Sequence, residues 1–325
     1  MIMNRANYLT ADKVKIAGTR TAGWGIKILR TLFIIGLCYI FLFPVYYFIV
    51  TAIQDPLTAR TNVVVWIPSH LTLDNIRLAL ELMEYRATLV QTLSITLFST
   101  LGLMISCSMA GYGFARFEFR EKKIAFFFVI MIIVVPPQTV MIPTVLNFLS
   151  FDFLGIMRLT YRLGITESAG INLLNTRWTF ILPSIFASGI RAGLFIFIFR
   201  QFFTNMPKEL EEAARIDGCG AIKTFIRVIV PLTGPAFITV MLFSIVWHWN
   251  DTYLASLFVR DQTVSVQLDR LFLTFENNIA HRFGMMEMRG ALAAGSLLTI
   301  SPILILYVFL QRYFTESIER AGIVG

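Results

Sequence analysis

Charge is what this sequence of 325 residues has least of: 15% of it is Asp, Glu, Lys or Arg, against 56% hydrophobic residues. An ordinary soluble domain has about a quarter of its residues charged. The deficit excludes a soluble monomer, because a water-facing surface needs charge, and it points to an all-α integral membrane protein. Cysteine is also scarce. Cys38, Cys107 and Cys219 make an odd count without metal-like spacing, which argues against a disulfide framework. His70, His248 and His281 are scattered, so no metal site is expected. The chain has no zinc-finger spacing and no RNA-binding aromatic motif. Its net charge of +8 sits mostly in short connections between apolar runs, which excludes nucleic acid and leaves membrane lipid as the expected contact.

A hydrocarbon-spanning helix needs about 20 mostly apolar residues. Six stretches qualify: Thr31–Ile53, Thr88–Phe114, Ile124–Phe148, Trp178–Phe203, Val228–Trp249 and Ala291–Tyr313. The chain therefore divides into an N-terminal tail (1–30), a six-span domain (31–315) that includes a charged loop (205–230), and a C-terminal tail (316–325). Counting Lys and Arg on alternate sides gives 17 on the side of the termini and the charged loop, 10 on the other, with Arg191 inside the fourth stretch. No lysine falls on the poorer side. The positive-inside bias then places both termini and the loop in the cytoplasm of a multi-pass protein. The first thirty residues lack a small-residue cleavage site, so the first apolar run reads as a retained anchor.

The charged loop carries LEEAARIDGCGAIKTFIRVIVPL, from Leu210 to Leu232. Pro207 suits a first helical turn with Asn205 or Met206 as cap. Glu209, Glu211 and Glu212 would sit at the positive end of the helix dipole. Leu210, Ala213 and Ala214 share a face by spacing. Gly218 supplies the left-handed residue that ends a helix, and a second helix over Ala221–Ile229 leads into the fifth span. The small residues fit a docking surface; a solvated helical loop of good helix formers fits as well.

The order Glu212-Ala213-Ala214, Gly218, then Val228, Val230 and Pro231, with Asp217 in the intervening "RIDG", resembles the signature of ABC importer permease subunits. The second permease of maltose-type carbohydrate systems is the branch it is most similar to. "GYGFARFEFREKK" (Gly111–Lys123), "VPPQTVMIP" (Val135–Pro143), "NLLNTRWTFILP" (Asn172–Pro183), "FRQFF" (Phe199–Phe203) and "WNDTY" (Trp249–Tyr253) carry the likeness along most of the chain. It departs from the family pattern in "TYLASLF" after Asp251 and in its C-terminal "SIERAGIVG". The resemblance implies a type I ABC importer permease fold in a prokaryotic inner membrane. The expected partners are a second, different permease, two ATP-binding subunits and an extracytoplasmic solute-binding protein. Glu212 would anchor the loop in a groove of an ATP-binding subunit, and Gly218 would give its turn. The chain has no phosphate-binding glycine loop, so no cofactor is expected in it; ATP and Mg would belong to the partners, and the chain itself would not be an enzyme.

Inside the membrane, Arg191 is the one deep cation. It either lines the translocation path or pairs with an acid. Pro136, Pro137 and Pro143 interrupt the third span, as a packing kink or as a gate hinge. Trp249, Asn250 and Asp251 close the fifth span, as an interfacial belt or as a sugar contact. A stand-alone secondary transporter or channel for a small polar solute is the alternative reading. It predicts acids buried mid-span, and the six stretches contain none.

Overall fold

The structure, a computed structural model, describes residues 3–55, 67, 70–165, 167–260, 262–277 and 285–322. Arg60, His281, Arg282 and the outermost residues of both tails lie outside the described residues. In chain order the elements are α1 (Met3–Ile53), α2 (Asp74–Leu82), α3 (Tyr85–Arg116), α4 (Lys122–Val134), α5 (Pro137–Leu149), α6 (Ile156–Arg162), α7 (Trp178–Ile185) and α8 (Ala192–Thr204). There follow α9 (Glu209–Ile216), α10 (Ala221–Thr224), a π-helical turn (Phe225–Ile229), α11 (Val230–Leu232), α12 (Gly234–Trp249), α13 (Tyr253–Phe258), α14 (Val264–Asn277) and α15 (Met285–Gly322). The described residues contain no β-sheet, only isolated bridges at Gln54–Leu71 and Phe151–Ile171.

Helix α3 is the axis of the bundle and packs on α8, α7, α12, α14 and α2. Its buried residues include Thr88, Thr92, Ile95, Thr96, Ser99, Leu103, Cys107 and Gly111, spaced by three and four, which is one face of a helix. At Gly111 the approach to α8 is closest: an added Cβ would lie 2.7 Å from Cβ of Phe199 and 2.9 Å from the amide nitrogen of Arg200. Hydroxyls knit the same face to its neighbours. Ser106 donates to the carbonyl of Ser184 at 2.7 Å, and Thr100 and Ser244 meet at 2.8 Å. Small and hydroxylated residues are the usual glue between helices in lipid, where apolar contact with tails competes with apolar contact between helices. A phenylalanine-rich core of Phe195, Phe199 and Phe203, with Ile229 and Val240, fills the space between α3, α8 and α12. Helix α1 lies against α15 and, from Ile26 on, exposes most of its apolar side chains.

Among the described residues three helical segments are long and apolar enough to cross a membrane: Ile26–Ile53, Tyr85–Arg116 and Glu287–Arg312. The other three expected spans are not continuous helices. Lys122–Val134 and Pro137–Leu149 meet at 101°. Pro136 and Pro137 lack amide hydrogens, and proline pushes the residue before it out of the helical region; Val135 is accordingly extended, with ψ 121°. Ala221–Leu232 and Gly234–Trp249 meet at 80°. Pro231 cannot donate to the preceding turn, and the chain accommodates this with the π-helical turn just before it. The expected span Trp178–Phe203 is split by a stretch from Phe186 to Arg191 in which Ala187 and Arg191 adopt positive φ, 53° and 58°. The N-terminal tail and first span form one helix, and α15 likewise runs on to Gly322.

Candidate functional site

The charged loop folds as a helix, a tight turn and a second helix. Its first helix starts later than its sequence suggests. Asn205 closes α8, and Lys208 occupies the N-cap of α9 without a side-chain bond, so neither Asn205 nor Met206 caps it. The three glutamates do fall in the first turn. At the far end Gly218 has φ +78°; its N–H donates to the carbonyl of Arg215 and that of Cys219 to the carbonyl of Ala214. These two bonds close the helix in a Schellman turn, a geometry that glycine adopts without steric cost.

Of the expected face of α9, Leu210 and Ala213 are exposed and Ala214 is not. Glu211 and Ala214 are its buried residues, while Glu212, Ala213, Asp217 and Gly218 face outward. Leu210, Ala213 and Ile216 form an exposed stripe, and Ile216 at 86% exposure and Ile222 at 74% flank the turn. Pro231 is also exposed, in α11 after the π-helical turn rather than in the corner.

Beneath the corner lies an ion pair that spacing gave no reason to expect. Nε of Arg116 stands 2.6 Å from Oε1 of Glu211, with both side chains about 5% exposed. The N–H is not aimed at that oxygen, so the contact is one of charge rather than an aligned hydrogen bond. Nη2 of Arg116 donates to the carbonyl of Met206 at 2.9 Å, and the Tyr112 hydroxyl lies near the Glu211 carboxylate. The Tyr112 ring meets Phe117, Phe203 and Phe225 edge-on or tilted, at 4.9 to 5.8 Å. One end of α3 thus holds the end of α8, the start of α9 and the π-turn together. Nearby, Lys122 lies 2.9 Å from Glu118 and holds that carboxyl below its usual range.

From the two other candidate groups, Pro137 and Arg191 meet at a cavity of about 570 Å³ where the breaks face each other. Pro137, Val140 and Thr144 line it from α5, Pro183 from α7, Arg191 and Leu194 from the α8 side, and Leu254 from α13. Pro136 is the N-cap of α5 and Pro143 lies inside it. Arg191 is exposed to the cavity and stacks its guanidinium over Trp247 at 5.5 Å; no carboxylate pairs with it among the described residues. Within the described residues its contact is therefore an aromatic face rather than an acid. Arg200 similarly stacks on Phe126 at 4.1 Å.

Trp249 does not face this cavity. Its indole is 3% exposed and donates to the carbonyl of Thr299 at 3.0 Å, which makes it a packing residue between α12 and α15. Asn250 returns its amide to the carbonyl of Val246. Asp251 accepts the N–H groups of Leu254 and Ala255 at 3.2 and 3.0 Å and so starts α13; burial pushes its carboxyl up to about 6. The sequence places these three residues together, and the structure gives them three separate tasks. Among the described residues no cluster of His, Cys, Asp and Glu has the arrangement of a metal site.

The described residues thus combine long apolar helices, proline-broken helix pairs and an outward helix–turn–helix. Residues 102–320 match the family described as the binding-protein-dependent transport system inner membrane component, and the chain belongs to that family. It is 29% identical over 295 residues to the arabinooligosaccharides transport system permease protein AraQ of Halalkalibacterium halodurans, covering 89% of this chain and 93% of that protein. It is also 29% identical over 265 residues to the melibiose/raffinose/stachyose import permease protein MelC of Bacillus subtilis, covering 80% and 84%. Its fold is similar to that of a chain in the crystal structure of a bacterial ABC transporter involved in the import of the acidic polysaccharide alginate. That likeness has a TM-score of 0.70 at 22% identity and covers 89% of this chain and 96% of the other.

Proposed function

We propose that this permease component serves an ATP-driven importer of a carbohydrate, and that the α9–α10 corner is where it docks an ATP-binding subunit. The observation that carries the docking is the exposed apolar stripe of Leu210, Ala213 and Ile216 beside a glycine turn, on a corner held from beneath by buried charge. With Ile222 and Ile226 across the turn these residues make a clustered apolar patch, and it is a patch, not a single exposed side chain, that marks a protein contact. Glu212, on the outward side, is free to reach a cationic partner. The sugar-transport names of AraQ and MelC support the substrate class.

In this reading α1, α3, α4 with α5, α7 with α8, α10 through α12, and α15 make six crossings. Both termini and the corner are cytoplasmic, in keeping with the distribution of lysine. A second permease completes the membrane body, two ATP-binding subunits supply ATP and Mg chemistry, and a solute-binding protein delivers the sugar outside. The cavity at the two breaks, with Arg191, Pro136 and Pro137 beside it, belongs to the moving part of the path.

The test is purification in mild detergent after expression with the genes that neighbour it, for the wild type and for Gly218→Asp. An ATP-binding protein and a second permease are expected with the wild type, and the ATP-binding protein is lost in the variant. A chain that purifies alone in both cases contradicts the proposal and favours a stand-alone transporter.

A further inference from the structure

The corner has almost no apolar core of its own. Of the eight residues of α9, only Glu211 and Ala214 are buried, and α9 packs mainly on the π-turn and α10. A helix so exposed is positioned by whatever its buried side holds. Here that is one carboxylate against Arg116, the last residue of α3. Arg116 also fixes the carbonyl of Met206, at the beginning of the linker that enters α9. Tyr112, one turn earlier in α3, lies near the same carboxylate, and its ring packs on Phe225 at the other end of the corner. Both arms of the corner are therefore fastened to one helix, and that helix is the one packed on α7, α8 and α12 beyond it.

We infer that the Arg116–Glu211 pair is the strut that makes α9 and α3 move as one body, so that displacement of the docked corner reaches the helices around α3. Glu211 is then a positioning residue, distinct from the outward groups that meet the ATP-binding subunit. Leaving one partner of a buried pair uncompensated weakens such a junction far more than changing a surface charge. The inference rests on the docking reading above.

The experiment uses the purified complex in lipid with spin labels at Glu209→Cys on α9 and Met109→Cys on α3, after replacement of Cys38, Cys107 and Cys219. The label-to-label distance is measured with and without Mg-ATP. In the wild type it is expected to stay the same in both conditions, because the two helices travel together. In Glu211→Gln, which keeps the side-chain shape, the ATP-binding subunit remains bound but the distance shifts by about 2 Å or more, or broadens, with Mg-ATP. Solute accumulated per ATP hydrolysed falls with it, and Glu211→Asp shows an intermediate shift. Three results overturn the strut: a wild-type distance that changes with Mg-ATP, a variant distance that does not, or loss of the ATP-binding subunit from Glu211→Gln, which would make the pair a simple prop of the docking surface. If the wild-type complex holds no ATP-binding subunit at all, it is the docking reading that fails, and the strut with it.

Discussion

The corner at α9–α10 and the cavity wall at the α7–α8 break solve the same problem in opposite ways. Each must turn the chain sharply between two helices. The corner turns on Gly218 at φ +78°, where glycine pays nothing, and is pinned from beneath by a buried ion pair and aromatic rings. The wall turns on Ala187 and Arg191 at φ 53° and 58°, where a side chain costs about 1–2 kcal/mol each. The proline break between α4 and α5 stands across the same cavity. An unstrained, clamped corner suits a part that transmits force without deforming. A wall made of strained turns and proline breaks suits a part with more than one arrangement of similar energy.

Glu211→Gln is the largest way to break this contrast. It leaves the Arg116 guanidinium buried without its counter-charge, at a cost of about 3–5 kcal/mol to the corner. Hydrogen exchange of the α9 amides should rise sharply in the variant, while exchange in α8 beyond the break stays as it was. Equal protection in wild type and variant would put the clamp elsewhere. A reciprocal pair of substitutions sharpens the comparison. Gly218→Ala should lower the thermal midpoint, by about 1 kcal/mol of stability, and Ala187→Gly should raise it by at most as much, since one creates left-handed strain and the other relieves it. If both lower it equally, the turns do not differ in strain.

Much of the corner was readable from residue order. The glutamates in the first turn, the turn at Gly218 and the second helix over Ala221–Ile229 are local features, set by dipole, cap and backbone freedom within a few residues. The ion pair below was not, because Arg116 and Glu211 are brought together only when α3 packs on α8. For the same reason α9 buries Glu211 and, of Leu210, Ala213 and Ala214, only Ala214. The signal that was there is weak: an arginine at the end of an apolar run and a doubled glutamate at the start of the loop. Hydropathy located the apolar stretches but not their breaks. Val135-Pro136-Pro137 announced one, through missing donors; nothing in Phe186–Arg191 beyond Gly189 announced the other, where the backbone takes left-handed angles at alanine and arginine. Trp249, Asn250 and Asp251 read as one motif because they are adjacent, and the helix end sends them in three directions.

A further expected effect is one of pH, at Asp251 just before α13. Burial raises the Asp251 carboxyl to about 6, above its usual 3.8, even though the Leu254 and Ala255 amides stabilise the charged form. A raised carboxyl pKa favours folding while the group is protonated. Its contribution is therefore full below about pH 4 and is lost as pH rises through about 6. The thermal midpoint of the purified complex should carry a downward component across that window, and Asp251→Asn should remove it. A component that persists in the variant belongs to another group.

The claim that the corner is a docking surface is tested most directly by two cysteines of almost equal exposure, at Ile216 (86%) in the corner and Leu154 (84%) beyond α5. Each would be introduced singly, in membranes holding the assembled transporter, with the native cysteines replaced and a short cross-linker added. Ile216→Cys should join the chain to the ATP-binding subunit, and Leu154→Cys should not. Cross-linking of the ATP-binding subunit from position 154, or none from position 216 in an active complex, would contradict the account.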